Sequence, residues 1–87
     1  MSKPYASGEL PRVGDDVDMA MGQGPRARVI AVVGGDTAGA AEGVRLEEWT
    51  YLGPGILVDQ PGAGLVYENH PDREVILVHR PSPEPRP

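Results

Sequence analysis

Short apolar runs separated by glycine and proline dominate the hydrophobic pattern of this chain. The clearest run, RARVIAVV at 26–33, alternates at first and then becomes apolar at every position, as in a strand buried on both faces. Shorter runs follow at 56–59, 65–68 and 74–79, and a weaker alternation covers 13–21. This spacing is typical of a small antiparallel β-barrel, roll or sandwich.

Segment 44–52 is the least determined part of the pattern, because neither of its two faces as a strand is cleanly apolar. Glu47 and Glu48 favour a helix, whereas the Trp-Thr-Tyr sequence at 49–51 favours a strand. We predict a strand over 44–52, with a short helix within 37–50 as the alternative.

The two ends of the chain lack the periodicity of its middle. Residues 1–11 contain two prolines and a glycine without an apolar repeat, and proline alternates through 81–87, which favours polyproline II. We therefore predict a flexible arm at 1–11, one mainly β domain of five or six strands at 12–80, and a disordered proline-rich tail at 81–87. The glycine-punctuated strands resemble small SH3-like or Tudor-like β-barrels in outline, and such an outline implies no function.

Composition narrows the compartment and the chemistry. The chain has no cysteine, which excludes a disulfide framework, a thiolate metal site and a cysteine nucleophile. The first residues contain no apolar signal region, and the longest apolar stretch, 29–33, is far shorter than the roughly 20 residues of a spanning helix. We expect a cytoplasmic protein, and the excess of arginine over lysine suggests a GC-rich bacterial genome.

The formal net charge of −5 comes from acidic residues that are spread along the chain. Nucleic acid and anionic membranes attract clustered positive charge, so we expect neither as a partner. A dispersed acidic surface also favours solubility, and we expect a monomer.

Two glycine-rich stretches have the order of nucleotide-binding loops but lack the residues that bind phosphate. In the stretch 34–41, Ala40 and Ala41 stand where a phosphate loop has lysine and a hydroxyl residue. In the stretch 53–67, Val58 and Tyr67 stand where a dinucleotide fingerprint requires its third glycine. We predict no cofactor, and we interpret 59–64 as the turn of a hairpin.

Candidate metal and catalytic residues are few. Asp16 and Asp18 have the spacing that begins a calcium loop, but Ala27 occupies the position of its final glutamate. His70 and His79 have carboxylates nearby in the sequence, so a small metal-dependent or His/carboxylate enzyme is an alternative. We predict no metal ligand and no catalytic residue, because Pro71 places the first histidine in a turn and the second ends a strand.

Aromatic residues are a better candidate for function. If 44–52 is a strand, Trp49 and Tyr51 point to one side beside Arg45, and Tyr67 of a later strand lies near them. Aromatic residues and arginine are common in partner-binding surfaces, so these four residues form the predicted protein-binding site. The alternative is that Trp49 caps a core that contains no phenylalanine.

A weaker candidate consists of Arg26 and Arg28, which share one face of a predicted strand. Two guanidinium groups could bind an anion, although cross-strand pairing with Asp15, Asp16 or Glu74 is the simpler interpretation. We therefore expect a small non-catalytic bacterial protein-binding module of the accessory, inhibitor or immunity type. It would use the aromatic region or its edge strands, and anion or nucleic-acid binding through the two arginines is a further alternative.

Overall fold

The computed structural model describes residues 3–35 and 37–80. The strands of this range are β1 (Asp16–Asp18), β2 (Arg26–Val33), β3 (Gly39–Ala40), β4 (Gly55–Gln60), β5 (Gly64–Glu68) and β6 (Ile76–His79). They form one antiparallel sheet in the order β5-β4-β2-β1-β6, and β3 pairs with β2 outside this path. The predicted mainly antiparallel β domain is confirmed, and its sheet is open.

The remaining regular elements are single turns of helix. They are the α-helix α1 (Pro71–Glu74) and the 3-10 turns Ala20–Gly22, Leu46–Glu48 and Thr50–Leu52. No helix in the described part of the chain is long or apolar enough to span a membrane. The predicted tail at 81–87 lies outside the described residues.

One face of the sheet carries the main core. Val29 of β2 lies opposite Val58 of β4, and both are fully buried together with Val17 of β1. A shift in the β2–β4 register after Val29 places Ala31 opposite Leu57.

The other face of the sheet divides into two halves. Ala31 and Leu57 are buried on it, and the turn Leu46–Glu48 lies against β2. A hydrogen bond of 2.8 Å from the Ala41 amide to the Ile30 carbonyl fixes the chain that leads into this turn. At the other half, the charged residues of β1, β2 and β4 face the solvent.

The predicted strand at 44–52 is wrong, because the segment forms the two 3-10 turns instead. Local bonds hold these turns, including Trp49 N–H to the Leu46 carbonyl at 2.9 Å. Gly43 and Gly53 bracket the segment with φ near +87°, a conformation that turns the chain and ends any strand. The alternative of a short helix within 37–50 describes Leu46–Glu48 better.

Residues 3–11 pack onto the sheet, where the sequence predicts a flexible arm. Tyr5 is only 1% exposed and belongs to the main core, and Pro11 is also buried. The Ala6 amide donates to the Val75 carbonyl at 2.8 Å. A single aromatic residue between prolines and glycines produces no periodic signal, so the pattern gave no indication of this packing.

Candidate functional site

Tyr51 is the most exposed large side chain near the predicted aromatic site. It lies in the turn Thr50–Leu52 with 79% of its surface exposed, while Trp49, just before that turn, is half-buried. Because the segment is not a strand, the two residues do not share a strand face. Of the two aromatic residues, Tyr51 is thus the one whose side chain is mainly open to solvent.

Tyr67 joins this turn to β5. Its hydroxyl oxygen lies 2.7 Å from the Gly53 carbonyl oxygen, and the Leu52 and Pro54 carbonyls lie 3.0 Å away. One hydroxyl proton serves these acceptors, and the Gly53 contact is the shortest. Partial burial, and then the neighbouring Glu68 charge, raise the pKa of Tyr67, so the hydroxyl remains a donor at neutral pH.

Gly55 makes the close approach of Tyr67 possible. A Cβ atom at position 55 would lie 2.7 Å from the Tyr67 hydroxyl oxygen and 2.6 Å from the Glu68 carbonyl oxygen. Both distances are shorter than any ordinary contact of a methyl group, and the second involves backbone. The glycine thus fixes the turn beside β5 by allowing a contact that no other residue permits.

Arg45 forms ion pairs with two neighbouring glutamates. Its guanidinium lies 3.2 Å from a carboxylate oxygen of Glu47 and 3.7 Å from one of Glu48. All three side chains are largely exposed, so these pairs contribute little to stability. Arg45 is best described as part of a charged border beside Tyr51.

Sequence reasoning missed Leu65, which is 55% exposed on β5. β5 pairs only with β4 and forms one edge of the sheet. Among residues 3–35 and 37–80, no hydrogen bond links the backbone of β5 to any segment other than β4. The apolar run at 65–68 resembles a buried strand, because a pattern of alternate residues does not distinguish an edge from a centre.

Acidic groups border this edge. Asp59 lies directly opposite Leu65 in the β4–β5 register, and Glu68 ends β5. Glu47 and Glu48 lie in the turn that contacts the Tyr51 turn, and Arg45 is the cation beside them. The combination is an uncovered strand edge with exposed apolar side chains and a mainly negative border.

Arg26 and Arg28 lie elsewhere, on the open half of the sheet face. Arg26 pairs with Asp18 at 2.8 Å and Arg28 with Asp16 at 3.3 Å, so Asp16 is a partner as expected and Asp18 takes the place of Asp15. Both arginines line a shallow cleft of about 320 Å³ that also contains Asp59. The aspartates offset the positive charge that an anion would require.

The two histidines lie at the two ends of residues 70–79, the segment that contains α1 and β6. His70 immediately precedes α1, where its Nδ1 lies 3.4 Å from the Lys3 ammonium. His79 ends β6 and lies opposite Asp16 in the backbone register of β1 and β6. Within the described ranges, no group of three or more histidine, aspartate or glutamate residues could hold a metal ion.

A buried polar network, also missed by sequence reasoning, joins both ends of the domain. Asp15 is completely buried and accepts hydrogen bonds from the Tyr5 hydroxyl at 2.5 Å and from the Arg12 amide at 3.0 Å. Arg80 donates to both Asp15 carboxylate oxygens, at 2.9 and 3.0 Å, and also to the Leu10 carbonyl at 2.6 Å. No local signal relates residues 5, 15 and 80.

The network changes how its members ionise. Burial alone would raise the pKa of Asp15, but the hydrogen bonds from Arg80, Tyr5 and the Arg12 amide outweigh burial and lower it. Burial, and then the hydrogen bond to Asp15, raise the pKa of Tyr5. The hydrogen bond to Asp15 raises the pKa of Arg80. At neutral pH the network therefore holds an anion, a cation and a neutral hydroxyl donor.

Comparison with known protein families, with curated proteins and with solved structures finds no match to this chain.

Proposed function

We propose that the protein is a small, non-catalytic protein-binding module that adds an extended segment of a partner protein to the free edge of β5. In this mode the backbone of the partner pairs with β5, while Leu65 and Tyr51 pack against its side chains. Strand addition to an exposed sheet edge is a recurring form of peptide recognition. A bacterial cytoplasmic protein of the accessory, inhibitor or immunity type fits this description.

The observation that carries the proposal is the free backbone edge of β5, on which Leu65 is exposed. Edge strands of soluble proteins are usually blocked by charge, proline or a covering segment, since a free edge invites pairing. Here the edge strand itself carries Leu65, Val66 and Tyr67. An open edge that carries apolar side chains is suited to binding an extended segment of a partner.

The acidic border specifies the kind of segment that fits. Asp59 and Glu68 on the sheet, together with Glu47 and Glu48 on the turn, favour a partner segment that carries lysine or arginine. The two alternatives have less support: the described residues contain no group of three or more histidine, aspartate or glutamate residues that could hold a metal, and the cleft arginines are already paired with aspartates.

Photo-crosslinking in the native cell tests the proposal. A photoreactive residue replaces either Leu65, on β5, or Val78, on β6; the two side chains are 55% and 42% exposed, so they form a matched pair. We expect position 65 to capture a protein through a lysine- or arginine-rich segment and position 78 to capture none. A synthetic peptide of that segment should then slow hydrogen exchange of the β5 amides.

Two results would contradict the proposal. One is capture at position 78 with none at position 65. The other is capture at position 65 by a peptide that leaves the exchange of the β5 amides unchanged, because such a partner does not pair with the strand.

A further inference from the structure

The edge at the opposite end of the sheet is covered by the chain itself. The Ala6 amide donates to the Val75 carbonyl at 2.8 Å, and the Leu77 amide donates to the Ser7 hydroxyl at 3.2 Å. Residues 75 and 77 are two positions apart in extended chain, so their backbone groups point to the same side, away from β1. Residues 5–9, here called the edge guard, thus occupy groups that an added strand would use.

The edge guard is a turn and not a seventh strand. The Tyr5 amide bonds the Glu9 carbonyl at 2.8 Å, and the Gly8 amide bonds the Tyr5 carbonyl at 2.9 Å. The Ser7 hydroxyl also lies 2.6 Å from a Glu9 carboxylate oxygen. Because the guard uses its own backbone groups internally, it covers β6 without presenting a new edge.

The Tyr5 side chain holds the edge guard in place. Its ring is buried in the main core, and its hydroxyl bonds the buried Asp15 carboxylate, which Arg80 also binds. Arg80 directly follows β6, so this contact joins the guard to the strand that it covers. We call the contact of Tyr5, Asp15 and Arg80 the latch.

We propose that β6 is a second strand-pairing edge, kept closed by the edge guard and its latch, and that β5 of a second copy occupies it once the guard is released. The five strands of the main path alternate in direction, so β5 and β6 run the same way. Two copies in the same orientation would join β6 to β5 as a parallel pair. The carboxyl ends then meet, with Glu68 of one copy beside His79 and Arg80 of the other.

This inference rests on the open β5 edge of the proposed function. A closed β6 would keep the chain as a single copy, since a head-to-tail contact needs two free edges and extends without closing when both are available. Contact between two β5 edges is disfavoured, because each of them carries an acidic border.

The Tyr5→Phe variant tests the latch, since it keeps the buried ring and removes only the hydroxyl. The control is Tyr51→Phe, in which the lost hydroxyl belongs to an exposed side chain. We expect amide hydrogen exchange at Ala6 and Leu77 to accelerate at least about tenfold in Tyr5→Phe, the effect of losing one hydrogen bond to a charged group. The β2–β4 amides and the control should keep the exchange of the unaltered chain.

Sedimentation velocity over a range of concentrations tests the second edge. We expect the unaltered chain and Tyr51→Phe to remain single copies, Tyr5→Phe to associate increasingly with concentration, and Tyr5→Phe/Leu65→Lys to remain single. Unchanged exchange at Ala6 would overturn the latch. Accelerated exchange without association, or association that Leu65→Lys does not prevent, would overturn the pairing of β6 with β5.

These outcomes are distinct from those of the crosslinking experiment. Partner capture at position 65 uses the unaltered chain with its guard in place, so it succeeds or fails whether or not β6 can be opened.

Discussion

β5 and β6 are the two edges of one sheet, and they differ in whether another segment bonds to their outer side. Residues 5–9 occupy the Val75 carbonyl and the Leu77 amide at the start of β6, and the contact of Tyr5, Asp15 and Arg80 holds them there. Among the described residues the backbone of β5 pairs with β4 alone, and the strand carries an exposed leucine. One edge is thus held by an ion pair with a buried carboxylate and the other is open, and this contrast is the basis for proposing β5 as the binding surface.

The largest effect should come from removing the buried carboxylate of the latch. Asp15→Ala leaves the buried Tyr5 hydroxyl and the Arg12 amide without their acceptor, and each polar group left unsatisfied in this way costs about 1–3 kcal/mol of unfolding free energy. Urea denaturation measures this change. Asp16→Ala, one residue away on the exposed face, should cost less than about 1 kcal/mol. Equal losses in the two variants would show that the latch contributes no more than a surface pair.

A substitution at Gly55 should disturb the open edge instead. In Gly55→Ala, the new methyl group meets the Tyr67 hydroxyl and the Glu68 backbone, so we expect a loss of about 1–3 kcal/mol. The matched control is Gly39→Ala on β3, where the nearest atom to a Cβ is 4.0 Å away. Denaturation curves that coincide for Gly55→Ala and the unaltered chain would contradict the close packing of Tyr67 against β4.

Alkaline pH should weaken the guarded edge through Tyr5. The folded-state pKa of Tyr5 is raised above its ordinary value of 10.0, so the unfolded chain loses this proton first. Stability is therefore fully present below pH 10 and falls above it, by about 1 kcal/mol at pH 11. Thermal or urea unfolding between pH 8 and pH 11 measures the slope.

Tyr5→Phe is the control for this pH dependence. The variant lacks the titrating group but retains Tyr67, whose raised pKa acts in the same direction, so the difference between the two curves belongs to Tyr5. Parallel curves for the variant and the unaltered chain above pH 10 would rule out ionisation of Tyr5 as the cause.

The smallest effect should come from the hydroxyl that joins the Tyr51 turn to β5. Tyr67→Phe removes the hydrogen bond to the Gly53 carbonyl and should cost about 1 kcal/mol. We also expect faster amide exchange at Leu52 and Gly53, since their turn loses its tie to the sheet. Tyr51→Phe should change neither quantity. A stability loss without faster exchange at these amides would place the effect of Tyr67 elsewhere.

The sequence predicted the elements that depend on residues close together in the chain. The apolar run of β2 defined a strand with the bounds seen in the structure, and the turn chemistry at 59–64 defined the β4–β5 hairpin. Alternation also placed Arg26 and Arg28 on one face, where aspartates of β1 pair with them.

The features that the sequence did not reveal depend on contacts between distant residues. Asp15 and Arg80 are 65 positions apart, and nothing near either residue marks the pair. The segment 44–52 has strand-forming aromatic residues, but Gly43 and Gly53 turn the chain at its two ends and it forms 3-10 turns. The sequence predicts Trp49 and Tyr51 as binding residues on the assumption that they share a strand face, and the structure corrects that assumption. The exposure of Leu65 has no signal in the sequence.

Hydrogen exchange of the backbone amides in the unaltered, unliganded chain tests the contrast between the two edges most directly. We predict that the β5 amides facing away from β4 exchange at least about tenfold faster than the Leu77 amide of β6, which donates to Ser7. Equal protection at the two edges would show that β5 is covered as β6 is, and would contradict the assignment of β5 as the partner-binding edge.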